Sequence, residues 1–438
     1  MRLMSLRASL LWVNLVAITT HAAEPTITLR DAVMRATTEA GTVQLAGTRT
    51  EQSTDRVDQA RAALLPSVTG SASLGQRTFN LKAQGFPLPP TAPDVIGPID
   101  NVDARVRITQ TLVDVPAWQR WRAAGLGAAA SRADLAAATE AAAQMSALAW
   151  LRAARATALV EARRQDLALA IELLRLAREQ HAAGVSPAID TTRASTQAVA
   201  SRAALLVAEN QRDRARLDLA RTLGLGAGTH FVPADTLSES LATTRAPLDV
   251  EAAVALARVT RPELASEQAR TDRARLERRA TSLERLPRLD AAADWGLSGQ
   301  HTSDWKDTRS VAVGLSWPVF DGARREARLA EQGAALREAE VRARDVEDQV
   351  RAEVEAALLD LDSGHEQVVV ALDRLRLADE EVAQASERFR NGVAGNIEVI
   401  NAQLSLLRAR DAEIDARFAV AAARVALARA TGVAREIQ

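Results

Sequence analysis

The chain of 438 residues carries 55 Lys plus Arg against 56 Asp plus Glu, and its formal net charge of −1 offers no global attraction for nucleic acid or an anionic membrane surface. Hydrophobic residues make up 47% but aromatics only 3%, with no Tyr, so the apolar content is mostly Ala, Leu and Val, a composition suited to closely packed helices. Cysteine is absent, which excludes disulfide frameworks, thiolate metal sites, thiol nucleophiles and a lipid anchor built on cysteine.

Arg2 and Arg7, the apolar run over 8–18 and the small residues Ala22 and Ala23 predict a secretory signal peptide over 1–23, cleaved after Ala22 or Ala23. Asn14 interrupts a run already shorter than the roughly 18 residues of a membrane helix. No later stretch is long and apolar enough for one, so a membrane position must come from strands.

Helices are expected over 24–66, followed at 67–113 by a β-hairpin in which Val68, Gly70, Ala72 and Leu74 alternate with Thr69, Ser71 and Ser73, and Val102, Ala104, Val106 and Ile108 with Asp103, Arg105 and Arg107. Its turn is placed between Asn80 and Asp100, where Pro87, Pro89, Pro90, Pro93 and Pro98 oppose regular structure. Residues 114–224 read as one long helical hairpin with its tip near Gly184, and no proline interrupts the stretch from Ala117 to Ala183. A linker or equatorial segment follows at 225–247.

The order then repeats: helices at 248–286, a hairpin at 287–320 with Leu289, Ala291, Ala293, Trp295 and Leu297 on one face, and a second long helical hairpin at 321–432 with its tip near Gly392. Its seam is expected at Val368, Leu372, Leu375, Asp379, Val382, Ser386 and Phe389, and on the return at Leu407, Asp411, Ile414, Phe418, Ala421, Val425 and Ala428. A short tail closes the chain at 433–438. Ser186 and Asn396 are expected as N-caps, with Pro187 at a first helical position.

The repetition is a duplication. Residues 29–70 match 250–291 without a gap, Asp114 falls on Asp321, and Gly184, Ile189-Asp190 and Gly224 fall on Gly392, Ile397-Glu398 and Gly432 at one constant offset. Strands of about ten residues with one apolar and one polar face fit a membrane barrel, yet four strands cannot close one, so several copies must pool their hairpins; three copies give twelve. Trp295 and Trp317 are sparse substitutes for an aromatic girdle.

The opening Leu29-Arg30-Asp31-Ala32-Val33, the strand entry Leu65-Pro66-Ser67, residues 315–322 (Leu-Ser-Trp-Pro-Val-Phe-Asp-Gly) and the turn Arg388-Phe389-Arg390-Asn391-Gly392 together resemble the TolC family of outer-membrane efflux ducts. The resemblance covers essentially the whole mature chain. It implies a mainly α fold with a β-barrel part: internally duplicated long antiparallel helical hairpins forming an α-tunnel, plus four transmembrane strands per chain completing a trimeric 12-stranded barrel. It also implies a homotrimer in the outer membrane of a Gram-negative bacterium, its tunnel in the periplasm, its partners an inner-membrane transporter and a periplasmic adaptor, or membrane fusion protein. The tips Gly184, Val185, Ser186 and Gly392, Val393, Ala394 then contact the adaptor, and Asp190, Glu398 and Asn401, six and nine residues after the tip glycines, form the periplasmic gate. The Tyr and Arg that help lock the tip in the family are Phe389 and Ala394 here, so another lock is required.

No catalytic chemistry and no cofactor or metal is indicated: His21, His181, His230, His301 and His365 have no metal-ligand spacing, and no phosphate-binding glycine loop occurs. His181 is expected to pack at the tip in the place of Phe389, and the charged stretch 342–355 to be a solvated face with i,i+4 ion pairs. Three readings stand at this point: an exit duct for drugs or metal cations, an exit duct for type I protein secretion, and a periplasmic coiled-coil scaffold without a pore.

Overall fold

The computed structural model describes residues 26–80, 83, 93, 95–225, 232–234, 236–238, 242 and 244–437. The expected signal peptide and Pro87, Pro89 and Pro90 lie outside these residues, as do His21 and His230.

Strand β1 (Thr26–Ile27) leads into helices α1 (Leu29–Glu39) and α2 (Gly41–Ala62), then strands β2 (Ser67–Asn80) and β3 (Val95–Val113). Helices α3 (Val115–Ala182) and α4 (Ala188–Thr222) form the first long hairpin, and β4 (Val232–Pro233) pairs in parallel with β1. The second copy follows as α5 (Val250–Thr260), α6 (Pro262–Leu283), β5 (Arg288–Gly299), β6 (Lys306–Ser316), α7 (Arg324–Arg390) and α8 (Asn396–Ala430). Each copy starts its first helix alike: the Thr28 side chain accepts from Asp31 N at 3.1 Å, and that of Asp249 from Ala252 N at 3.0 Å.

The four long strands form one antiparallel sheet in the order β2-β3-β5-β6, with Val106 opposite Gly70 on one side and Trp295 on the other. The proline-rich turn is shorter than expected, because β3 starts at Val95 and carries Pro98 within it. Pairing shifts register between Arg77 and Phe79, and Gly97 at φ +119° lets the backbone pass Arg77 O, which a Cβ would approach to 2.8 Å.

Helices of 68 and 67 residues extend roughly 100 Å at 1.5 Å per residue and survive only by packing along their length. On α7 the buried residues Val350, Val354, Ala357, Leu361, Gly364, Val368, Ala371, Ala378, Val382, Ala385 and Phe389 follow 4,3 spacing. The expected seam is thus displaced by one residue in its middle: Leu372 and Asp379 face outward, and Ala371 and Ala378 face in, because Ala lets the helices approach closely. The first six of these fall, at the tip offset, on Ala142, Ser146, Ala149, Ala153, Ala156 and Val160 of α3, all buried.

Four glycines end the long helices with one geometry. Gly184, Gly224, Gly392 and Gly432 take φ between +71° and +76°, and the following residue bonds back to the last turn, as in Val185 N to Gln180 O at 2.9 Å and Val433 N to Ala428 O at 2.8 Å. This is the Schellman motif, which needs a residue free to enter the left-handed region. The N-cap expectations fail. Pro187 and Gly395 are the caps, neither with a side-chain bond, and Asn396 is the first helical residue.

Candidate channel lining and helical tips

Strand alternation splits the sheet into two chemically distinct faces. Val68, Val106, Ile108, Val313 and Leu315 share one face and stand exposed, as does Val311 at 83%. The other face is polar and hydrogen-bonded. Arg105 Nη1 donates to Asp294 Oδ1 at 2.6 Å and its Nε to Asp103 Oδ1 at 2.8 Å, while Thr111 Oγ1 donates to Asp290 Oδ1 at 3.1 Å. Gly296 lies beneath Arg105, and a Cβ there would come within 2.6 Å of Ala104 O, so glycine lets the arginine cross the strand. Strands β2 and β6 each have one neighbour, leaving two open edges.

At the opposite end of the long helices the two tips of the chain touch. Gln180 Nε2 donates to Phe389 O at 2.9 Å, and Asn396 Nδ2, with Asn396 fully buried, donates to Asp190 O at 2.7 Å. Both acceptors are backbone carbonyls, so this contact depends on neither Tyr nor a charge. Asp190 is buried, with Arg193 Nη1 3.7 Å from Oδ1, and Glu398 Oε1 is 3.2 Å from Arg388 Nη1. Asn401 is exposed. Each acid of the expected gate therefore has an arginine beside it, which damps its field. Val185 and Val393 project at the tips, 66% and 70% exposed. His181 does not take the packed place of Phe389; it is exposed, its Nδ1 3.0 Å from Ser186 O.

The outer membrane efflux protein family model matches residues 35–225 and 253–433, one stretch in each copy of the repeat. The chain belongs to the outer membrane efflux protein family. The outer membrane efflux protein BepC of Brucella suis biovar 1 (strain 1330) is 24% identical over 274 residues, 62% of this chain and 58% of BepC. The CmeC outer membrane channel of Campylobacter jejuni superposes with a TM-score of 0.82 at 16% identity, covering 93% of this chain and 86% of that one. The outer membrane protein VceC of Vibrio cholerae superposes at 0.79 with 20% identity, covering 92% and 96%. The fold and family are those of TolC-like channels.

In this efflux protein the two hairpins are joined by a polar seam between α3 and α8. Arg155 Nε donates to Asp415 Oδ1 at 2.7 Å, Arg163 Nη2 to Asp411 Oδ2 at 2.7 Å, and Arg410 Nη1 to Asp166 Oδ1 at 2.8 Å. Two residues expected to pack α8 within its own hairpin instead meet α3: Asp411 accepts from Arg163, and the Arg155 guanidinium lies over the Phe418 ring at 5.7 Å, while Val420 of α8 lies against Gly364 of α7. Burial pushes the Asp166 carboxyl above the ordinary value, outweighing Arg410 and Arg163. Sequence reading missed this network, although Arg163, Asp166, Arg410 and Asp411 interrupt otherwise apolar helix stripes. It also missed Trp150, fully buried at mid-helix, whose Nε1 donates to Ile27 O at 2.8 Å. The charged face at 342–355 behaves as expected, with Arg351 Nε donating to Glu355 Oε1 at 2.8 Å and Arg342 Nη2 to Glu338 Oε1 at 2.6 Å.

Proposed function

We propose that three copies form an outer-membrane channel that serves as exit duct for an inner-membrane pump and its periplasmic adaptor, exporting small molecules such as drugs or metal cations. The observation that carries this reading is the sheet: one face apolar and exposed, one polar and bonded, with two open edges. An unpaired backbone amide costs several kcal/mol in hydrocarbon, so the edges must be joined to those of other copies, and three copies supply twelve strands.

The duplication supports the same number of seams. In one chain α3 packs on α8, but their counterparts α7 and α4 do not pack along their length. Residues buried on α3 and α8 have exposed counterparts on α7 and α4: Leu151 becomes Leu359 at 71%, Ala162 becomes Val370 at 67%, and Ile414 becomes Leu206 at 61%. A second copy supplying α4 to this α7 repeats the within-chain seam, and such head-to-tail contacts generate rings.

In this assembly the sheets form the pore through lipid and the hairpins form the periplasmic tunnel. Gly184, Val185, Ser186, Gly392, Val393 and Ala394 meet the adaptor, and Asp190, Glu398 and Asn401 narrow the mouth, their negative field reduced by Arg193 and Arg388. The test is single-channel recording of the purified protein in planar bilayers. Discrete conductance is expected, with cation preference lowered in the Asp190→Ala, Glu398→Ala variant; the absence of conductance from detergent-extracted protein contradicts the duct, and unchanged selectivity removes the two acids from the mouth.

A further inference from the structure

The seam expected between copies differs chemically from its template within the chain. At the tip offset Arg410 of α8 corresponds to Arg202 of α4, and Asp166 of α3 to Arg374 of α7. The Arg410 to Asp166 ion pair therefore has no direct copy between subunits, since both counterparts are arginines. Arg202 is exposed and makes no ion pair among the described residues. Where its template partner would lie, α7 and Ser405 of α8 border a groove of about 420 Å³ lined by Val370, Asp373, Arg374, Leu377 and Glu381. Asp373 and Glu381 also lack ion-pair partners among the described residues, whereas Glu380 beside them is held by Arg376 at 2.8 Å. The groove thus holds two carboxylates against one guanidinium and is one positive charge short of balance.

We infer that Arg202 of a neighbouring copy seats in this groove, with Asp373 and Glu381 as its acceptors, and anchors the seam between subunits in the tip-proximal part of α7. This rests on the ring proposed above. It assigns the charge match to α4 of one subunit and α7 of the next. The apolar flank is in place: Leu206, one turn beyond Arg202 on α4, and Val370 and Leu377 on α7 are exposed. Burial between such residues lowers the local dielectric around the charges, which makes a matched ion pair stronger and a mismatched one costlier than at an open surface.

The test uses the full-length protein extracted in detergent, with oligomer mass followed against protein concentration. Arg202→Glu is expected to raise the concentration for half-assembly about tenfold or more, the scale of placing like charges together at an interface. Asp373→Arg is expected to weaken assembly similarly, and combining it with Arg202→Glu, which returns the groove and its occupant to charge balance beside Arg374 and Glu381, to restore it. Because these residues are exposed in the single chain, each variant should keep its wild-type helix content by circular dichroism. Assembly of Arg202→Glu at the wild-type concentration, or failure of the combined variant to recover, overturns the assignment while leaving the ring intact. A wild-type protein that is itself monomeric overturns the ring.

Discussion

The two copies of the repeat diverge most instructively at the base of their long hairpins. In the first, Ile27 is 5% exposed and accepts from the fully buried Trp150, so the chain seals its own groove. In the second, the place of Trp150 is taken by the half-buried Leu358, the place of Ile27 by Leu248 at 73% exposure, and a cavity of about 870 Å³ opens between them, bordered by Leu359 and Leu427. The backbone template is the same and the burial is opposite. A duplicated chain fills one set of grooves from within and leaves the other set open.

Substitution separates the two grooves. Trp150→Ala should cost about 3–5 kcal/mol, the range for emptying a fully buried aromatic site, whereas Leu358→Ala should cost less than about 2 kcal/mol in the unassembled chain because the side chain is only half covered. Thermal unfolding of monomeric protein, prepared in dissociating detergent, reads both. Equal losses would mean that the second groove is already filled.

The four helix-ending glycines give a finer contrast between the tips and the base. All lie at positive φ, so replacement by Ala should cost about 1–2 kcal/mol at each. A Cβ at Gly184 meets nothing within 4 Å, but one at Gly224 would come within 2.6 Å of Glu39 O and one at Gly432 within 3.0 Å of Thr260 C. Gly224→Ala and Gly432→Ala should therefore lose about 1–3 kcal/mol more than Gly184→Ala, from overpacking. Unfolding midpoints of the three variants test the order.

A smaller effect distinguishes the base from the tunnel by pH. Burial pushes the Glu263 carboxyl up, but the hydrogen bond and charge of Arg429 and the charge of Arg261 overcome this and hold it below its ordinary 4.5. A depressed carboxylate stabilises the folded state above its unfolded value and loses that contribution as pH falls through the folded one. The stability gap between wild type and Glu263→Gln should be full above pH 4.5 and close on further acidification. Asp166 has the opposite sign: its raised value makes folding less favourable as pH rises, so an Asp166→Asn variant should show the reverse trend.

Elements with a strict period were legible from the sequence, and side chains that act across the duplication were not. Alternation over 67–80 and 288–299 located strands because a two-residue period has few other causes, and the tip glycines were visible because only the left-handed turn demands them. The N-caps were misread because Ser186 and Asn396 are capping residue types, and a sequence does not say that Asn396 instead reaches the other tip. Part of the α8 stripe was assigned to the wrong neighbour for a similar reason. A helix packed on two sides carries two stripes, and periodicity marks a buried face without naming what buries it. For the gate implied by the family resemblance, Asp190 and Glu398 were named from matching positions, but Arg193 and Arg388 beside them were not.

Particle images of the detergent-extracted protein address the pooling of sheets and helices most directly. A threefold particle is expected, with a twelve-strand ring at one end and α4 of each copy lying against α7 of the next. A monomer, a twofold particle, or a ring in which those two helices remain apart would contradict it.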